Sequence, residues 1–174
     1  MDTIEAITTR RSVRKFTDDP IRPDDLRSML EAAMQAPSAA NEQPWEFVLI
    51  TKREMLDKIP IFSPYAQMVK KAPLGILICA DTRRLVIPGF WQQDCAAATQ
   101  NILLAAHTLG YGAVWTGVFP LEDRVAGFSK LCHLPDKVVP FAFVVIGRPA
   151  QKVSPEKRYR EDRVHHDLWT AHGH

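Results

Sequence analysis

Residues 91–117, WQQDCAAATQNILLAAHTLGYGAVWTG, contain the longest helix that the sequence predicts, followed directly by a predicted strand. Residues 95–109 are almost entirely apolar, small or amide side chains, a composition that favours a helix buried on nearly all sides. Gly110 is a typical residue to end such a helix. A chain of this size offers few surfaces to cover a helix completely, so we expect one side to pack on a second subunit.

Hydrophobic periodicity outside this stretch predicts an alternation of helices and strands. The apolar run LGILICA at 74–80 is typical of a strand buried on both faces. Residues 10–20 and 82–90 are predicted as loops. The predicted helices are 3–9, 23–36, 63–71, 91–109 and 121–132, and the predicted strands are 45–51, 74–80, 113–118 and 138–146.

The chain has 174 residues and a formal charge of +2, which fits one domain and argues against nucleic-acid binding by bulk electrostatics. Residues 1–149 carry the core pattern, and we expect them to form this domain. Residues 150–174 are polar and charged until Leu168 and Trp169. Such an extension is either disordered or wrapped around a partner, and its late tryptophan favours wrapping.

Cysteine usage predicts a reducing compartment. Cys79, Cys95 and Cys132 are odd in number, lie in apolar contexts and form no CxxC motif. The acidic N-terminus does not have the pattern of a signal peptide, and no apolar run approaches the roughly 18 residues of a membrane span. We therefore expect a soluble, cytoplasmic protein that does not bind membranes.

Basic residues form two clusters, one near each end of the chain. In the segment RRSVRKF at 10–16, Arg10, Arg11, Ser12 and Arg14 combine cations with a hydroxyl, which suits a phosphate group. The alternative is a solvated charged loop. The second cluster begins after the last predicted strand at Gly147 and Arg148, where the arginine either clamps a phosphate or is exposed, and continues through Lys152, Lys157, Arg158, Arg160 and Arg163.

Two further segments have backbones suited to a flat ligand. The turn PSAANEQPW at 37–45 is rich in small and amide side chains, although a helix stop followed by a turn explains it equally. At the predicted end of the third strand, Gly117 lets a ligand approach the backbone, and the competing interpretation is a β-bulge. With the arginines, these segments suggest a phosphorylated aromatic cofactor.

No metal site and no catalytic acid are predicted. His165, His166 and the two histidines near the C-terminus lack the spacing of metal ligands. Asp94 and Glu122 are acids with no evident pairing residue in the sequence, and Asp94 is interpreted as a helix residue with a structural partner.

These segments, in this order, resemble the FMN-dependent nitroreductase family, with matches over nearly the whole chain. The resemblance implies an α+β fold, a three-layer sandwich in which helices flank a mainly antiparallel mixed sheet. It also implies a homodimer with FMN at the subunit interface and a C-terminal extension that crosses to the partner. The matching segments are RRSVRKF (10–16), PSAANEQPWEF (37–47), DCAAATQNILLAAHTLGYGAVWT (94–116), VVIGRP (144–149) and EKRYREDRVHHDLW (156–169).

The resemblance also assigns the cofactor-binding residues. Those expected near the FMN phosphate and ribityl chain are Arg10, Arg11, Ser12, Arg14, Gly147 and Arg148. Those expected to approach the flavin ring from the other subunit are Pro37, Ser38, Ala39 and Asn41. Trp115, Thr116 and Gly117 are expected along the isoalloxazine, mostly through backbone atoms, and Gln67 lies where some members have a flavin contact.

The implied activity is hydride transfer from NADH or NADPH to FMN N5 and then to an electron-poor acceptor, by a ping-pong mechanism. The acceptor is a nitroaromatic, a quinone or another flavin. The cofactor carries the chemistry, so no catalytic side chain is expected. The alternatives are oxygen-dependent flavin breakdown or reductive dehalogenation, a flavin-binding sensor without turnover, and a scaffold without cofactor.

Overall fold

The computed structural model describes residues 1–169; residues 170–174, the end of the predicted extension with His172 and His174, lie outside the described residues. The helices are α1 Thr3–Thr9, α2 Pro23–Met34, α3 Arg53–Leu56, α4 Ile59–Phe62, α5 Trp91–Thr108 and α6 Glu122–Leu131. The strands are β1 Trp45–Ile50, β2 Leu74–Asp81, β3 Gly112–Gly117 and β4 Val138–Gly147. Short 3-10 segments occur at Ala39–Asn41, Pro64–Lys71, Thr82–Arg84 and Glu161–Arg163.

The four strands form one antiparallel sheet in the order β1-β2-β4-β3. β2 and β4 are its central strands, and every residue of β2 is buried. The only parallel pairing among the described residues is a single bridge between Ser12 and Ala113, which holds the N-terminal basic segment beside the start of β3.

Helical layers cover both faces of the sheet. Alternate residues of a strand point to opposite faces, so Ile76 and Ile78 pack with α2 and α5, while Leu77 and Cys79 pack with α3, α4 and α6. Residues of β4 also alternate between the two faces: Val144 packs with α2 and α5, and Phe143 and Val145 pack with α3, α4 and α6. The predicted α+β sandwich with an antiparallel sheet is therefore confirmed.

The turn after α5 is set by its glycine. Gly110 has φ of 80°, its N–H donates to His107 O over 3.0 Å, and Tyr111 N donates to Ala106 O over 2.8 Å. This pair of bonds satisfies carbonyls at the helix C-terminus and needs a left-handed residue. Gly110 is thus the helix end that the sequence predicts.

All nine predicted elements occur, with bounds that differ by up to two residues, but 63–71 is a 3-10 segment instead of an α-helix. The sequence missed α3 and α4, because one-turn helices carry too little periodicity to be recognised. None of the helices among residues 1–169 is both long and apolar enough to cross a membrane.

The helix α5 is not buried on all sides within one chain. Its sheet-facing residues are buried, among them Ala98 and Ile102. On the opposite face Gln93 and Gln100 are exposed and Leu104 is half-buried. The expectation that a second subunit covers this face stays a prediction.

Candidate functional site

A cavity of about 800 Å³ lies between the end of α1 and the start of the C-terminal extension. Four cations line it, two from each basic cluster of the sequence: Arg10, Arg11, Lys157 and Arg158, hereafter the basic cluster. The sequence predicted a phosphate site from the first two but did not connect them with Lys157 and Arg158, because only the tertiary fold brings the extension back to α1.

The charges of the basic cluster are only partly compensated. Arg11 forms an ion pair of 2.7 Å with Glu156, and this hydrogen bond lowers the pKa of the Glu156 carboxyl. Burial, followed by repulsion from Arg158 and Arg11, lowers the pKa of Arg10. Four cations against one bound carboxylate leave an excess of positive charge, which a polyanionic group would neutralise.

The rest of the N-terminal basic segment lies beside the sheet. Val13 N donates to Ala113 O over 3.0 Å, so Ser12 and Val13 follow the edge strand β3. Arg14 is exposed. Within the described chain it does not border the cavity of the basic cluster.

Gly147 and Arg148 lie where β4 ends. A side chain at Gly147 would meet Phe16 at 3.0 Å, so this glycine permits close packing of the basic segment on the sheet. The Arg148 guanidinium lies 4.2 Å from the centroid of the Tyr111 ring, and its Nη2 is 3.4 Å from Tyr111 Oη. The structure therefore stacks this arginine on Tyr111 and does not place it at the cavity of the basic cluster.

The turn at 37–43 is backbone-strained and held by side chains. Ala40, Asn41 and Gln43 have φ of 48°, 53° and 45°, values that non-glycine residues adopt rarely. Ser38 Oγ accepts from Gln43 N over 3.0 Å, and Asn41 Oδ1 accepts from Gln43 Nε2 over 3.2 Å. Pro37 and Asn41 are exposed, as a ligand-contacting surface requires.

Two buried carboxyl groups anchor this turn. Asp94 Oδ1 accepts from Ala39 N over 3.0 Å, which gives Asp94 the structural partner that the sequence predicted. Glu42 Oε2 accepts from Val86 N over 2.7 Å and from Ile87 N over 3.0 Å. The sequence shows no residue that pairs with the Asp94 carboxyl, because Glu42 adjoins it only in the fold.

The end of β3 presents an open backbone. The register from Gly112 to Gly117 against β4 is uninterrupted, so the alternative of a β-bulge here is wrong; the irregularity of the sheet lies between Ile78 and Cys79. Gly117 is exposed, with no atom within 4 Å of where a Cβ would lie. A flat ligand therefore has free access to this backbone.

The side chains around this strand end are fixed by their neighbours. Thr116 Oγ1 donates to Phe143 O over 2.9 Å, and the Trp115 ring packs edge-on against Phe141 with centroids 5.8 Å apart. Both predicted residues thus offer a ligand mainly their backbone.

Two residues beside Gly117 were missed by the sequence analysis. Arg124 Nη1 donates to Gly117 O over 2.6 Å, and its guanidinium lies 5.4 Å from the Tyr65 ring centroid. Tyr65 is 76% exposed. Gln67, in the same 3-10 segment as Tyr65, is also exposed. No signal in the sequence connects α6 with this strand end.

The predicted ligand contacts fall at opposite ends of α5. His107, near its C-terminus, lies 2.8 Å from Thr9 beside the basic cluster, whereas Asp94 in its first turn holds the 37–43 turn. At the rise of an α-helix these two residues are about 20 Å apart. Within one chain, the 37–43 turn and the basic cluster are therefore too far apart to contact the same small ligand.

No group of three or more His, Cys, Asp or Glu side chains among residues 1–169 has the geometry to hold a metal ion. The cysteines Cys79, Cys95 and Cys132 are free thiols. Burial raises the pKa of Cys95 to about 12 and that of Cys132 to about 11, so both stay protonated and unreactive near neutral pH.

Comparison with known proteins places the chain in one family. The sequence pattern of the Nitroreductase family matches residues 7–60 and 60–148. A protein of Methanothermobacter thermautotrophicus, provisionally named NADH dehydrogenase/NAD(P)H nitroreductase, is 50% identical over 97% of this chain and 88% of its own length.

Solved structures agree. A crystal structure from Parabacteroides distasonis, under the same provisional name, has a TM-score of 0.92 and 40% identity over 96% of this chain and 98% of its own. A protein from Desulfovibrio desulfuricans, provisionally named a nitroreductase and solved in complex with FMN, has a TM-score of 0.81 and 29% identity over 98% of this chain and 99% of its own. The match of sequence pattern, close relatives and fold shows that this chain belongs to the Nitroreductase family.

Proposed function

We propose that this chain is an NAD(P)H-dependent oxidoreductase that binds FMN and reduces an electron-poor acceptor such as a nitroaromatic, a quinone or a flavin. The observation that carries the proposal is the basic cluster next to the start of β3, because its excess of positive charge suits a phosphate. The FMN complex of the Desulfovibrio relative supports this choice of cofactor.

The basic cluster and β3 suit an elongated phosphorylated ligand. Arg10 and Arg158 would bind the phosphate through their guanidinium forks with Arg11 beside them, and Ser12 and Arg14 would contact the ligand from outside the cavity. Gly117 lies about 13 Å along the strand from Ala113, at the usual rise per residue, and would contact the flavin ring through its backbone. Gly147 and Arg148 would support this end of the site by fixing Tyr111 and the basic segment.

A second copy of the chain would complete the site. Because Pro37, Ser38, Ala39 and Asn41 lie at the far end of α5 from the basic cluster, we propose that they reach the ring from the partner subunit of a homodimer. The partly exposed face of α5 would then lie in the dimer interface. Residues 150–169 would extend over the partner, a role supported by the exposed fractions of Tyr159 (80%), Leu168 (77%) and Trp169 (83%).

FMN, when bound, would supply the redox chemistry, accepting a hydride from the nicotinamide and passing electrons to the acceptor. The chain would position the reactants: Arg124 fixes the Gly117 carbonyl, and Gly117 leaves space for donor and acceptor to bind in turn. Binding in turn at one place is the basis of ping-pong kinetics. The free, unreactive thiols support placement in the reducing cytoplasm.

The absorbance spectrum of the purified protein tests this function. Flavin bands that bleach on anaerobic addition of NADH or NADPH, and return when a quinone or nitroaromatic is added, are expected. Parallel double-reciprocal plots would support the ping-pong order. Flavin bands that do not bleach would instead indicate a flavin-binding sensor, and a protein that binds no added FMN would contradict the proposed site.

Truncation after Pro149 is expected to destabilise the homodimer and to weaken FMN binding, because it removes Lys157 and Arg158 from the basic cluster and the apolar side chains of the extension. Sedimentation velocity would measure the oligomeric state, and thermal melting the stability, of the full-length and the truncated protein. A truncated protein that still sediments as a dimer with an unchanged melting temperature would show that the extension does not hold the partner.

A further inference from the structure

The two carboxyl groups behind the 37–43 turn are unusually placed. The residues Asp94 and Glu42 are only 5% and 9% exposed, and they adjoin each other. One oxygen of each, Asp94 Oδ2 and Glu42 Oε1, is buried and receives no N–H or O–H from any described residue. No cation forms an ion pair with either carboxyl within residues 1–169. Two adjacent buried carboxylates without a cation repel each other, and one proton shared between them removes that repulsion.

The hydrogen bonds identify which carboxyl carries that proton. Glu42 accepts two backbone N–H groups, from Val86 and Ile87, which favours its charged form. Asp94 accepts only one, from Ala39. Burial and the neighbouring Glu42 raise the pKa of Asp94 despite that bond. The stable arrangement is therefore an Asp94 carboxylic acid whose Oδ2–H donates to Glu42 Oε1.

We propose that Asp94 and Glu42 share one proton as an acid–carboxylate pair, and that this proton positions the strained 37–43 turn for its ligand. The pair joins three segments of the chain. Asp94 belongs to α5 and Glu42 to the turn, and the backbone N–H groups that bind Glu42 belong to Val86 and Ile87 in the loop before α5. Both carboxyls are positioning groups, since Ala39 and Asn41, not they, face the ligand. The consequence for FMN rests on the proposed function, whereas the shared proton itself does not.

Other ionisable groups near the pair do not provide the proton. Cys95 follows Asp94 on α5, and its raised pKa keeps the thiol neutral. On the neighbouring strands and the 3-10 segment at 82–84, Arg83 pairs with Asp81 and Arg84 pairs with Glu46. The turn and the loop before α5 donate backbone N–H groups of Ala39, Val86 and Ile87 to the pair.

The sign of the pH dependence follows from the raised pKa of Asp94. Above the ordinary Asp value of 3.8 the folded chain keeps a proton that the unfolded chain releases, so this pair loses stability as the pH rises towards its folded pKa. Above that pKa the pair carries two charges and repels the turn from α5. The turn, and any ligand that it contacts, should therefore be held less well at high pH.

Two isosteric variants remove the titratable proton while retaining the hydrogen bond. In Asp94→Asn the new amide donates to Glu42, and in Glu42→Gln it donates to Asp94; both keep a single negative charge. Infrared difference spectra of the protein without FMN, recorded over a range of pH, are expected to show a carboxylic acid that stays protonated above the ordinary Asp value of 3.8 in the wild type and in the matched surface variant Glu54→Gln, but in neither isosteric variant. Glu54 is exposed on α3.

Fluorescence titration of FMN against pH gives the second readout. The affinity of the wild type is expected to fall above the folded pKa of Asp94 by up to about tenfold per pH unit, the limit for one linked proton, and the affinity of each isosteric variant to stay nearly constant. A wild type without the carboxylic acid band overturns the proposal even if both variants fail to fold. The proposal is also overturned if the FMN affinity depends on pH to the same extent in the wild type, both isosteric variants and Glu54→Gln. If FMN does not bind at any pH but the carboxylic acid band is present, the proposed function is contradicted and the shared proton is supported.

Discussion

Replacing Arg10 with glutamine is expected to weaken FMN binding about 10- to 100-fold, the loss of one charge-assisted hydrogen bond, or about 1.5–3 kcal/mol. The same change should not lower the stability of the protein without FMN. Burial disfavours the charge of Arg10, and Arg158 and Arg11 repel it, so removing that charge relieves both costs. Lower affinity without loss of stability is the signature of a cation held in place for an anionic ligand.

The matched variants isolate the role of the basic cluster. Arg158→Gln should weaken FMN binding to a similar extent, whereas Arg27→Gln, an exposed arginine of α2 that pairs with Glu31, should leave the affinity unchanged. Isothermal titration with FMN measures the affinity and thermal melting measures the stability. An Arg10→Gln variant with wild-type affinity for FMN would remove the basic cluster from the phosphate site.

Truncating Phe143 to alanine is expected to lower the free energy of unfolding by about 3–5 kcal/mol, the usual cost of removing a buried aromatic ring. Phe143 lies in the central strand β4, is fully buried, and contacts Phe128 of α6 with ring centroids 5.0 Å apart. The ring occupies the space that Gly75 leaves open, since a Cβ there would be 2.2 Å from it.

Leu49→Ala is the matched control, since Leu49 is 41% exposed on the edge strand β1. Its expected loss is well below that of Phe143→Ala, because much of the side chain already contacts water. Urea denaturation of both variants and the wild type measures the difference. Similar losses in the two variants would mean that the layer of α3, α4 and α6 is not packed as described.

Local patterns in the sequence were sufficient for most of the fold. The buried strand β2, the helix α5 and its glycine end were predicted because apolar periodicity and the conformation of Gly110 act over a few residues. The helices α3 and α4 were not, because a single turn gains its stability from packing on the sheet and not from its own sequence.

The sequence by itself determined the layered α+β fold, the basic segment at 10–16 and, through its motifs, the family. Only the tertiary structure decided which distant residues meet: Arg158 with Arg10, Arg124 with Gly117, and Glu42 with Asp94. The reason is physical. Helix and strand patterns depend on neighbours a few positions away, whereas a charge cluster or a shared proton depends on distances in space that the packing of the whole chain sets.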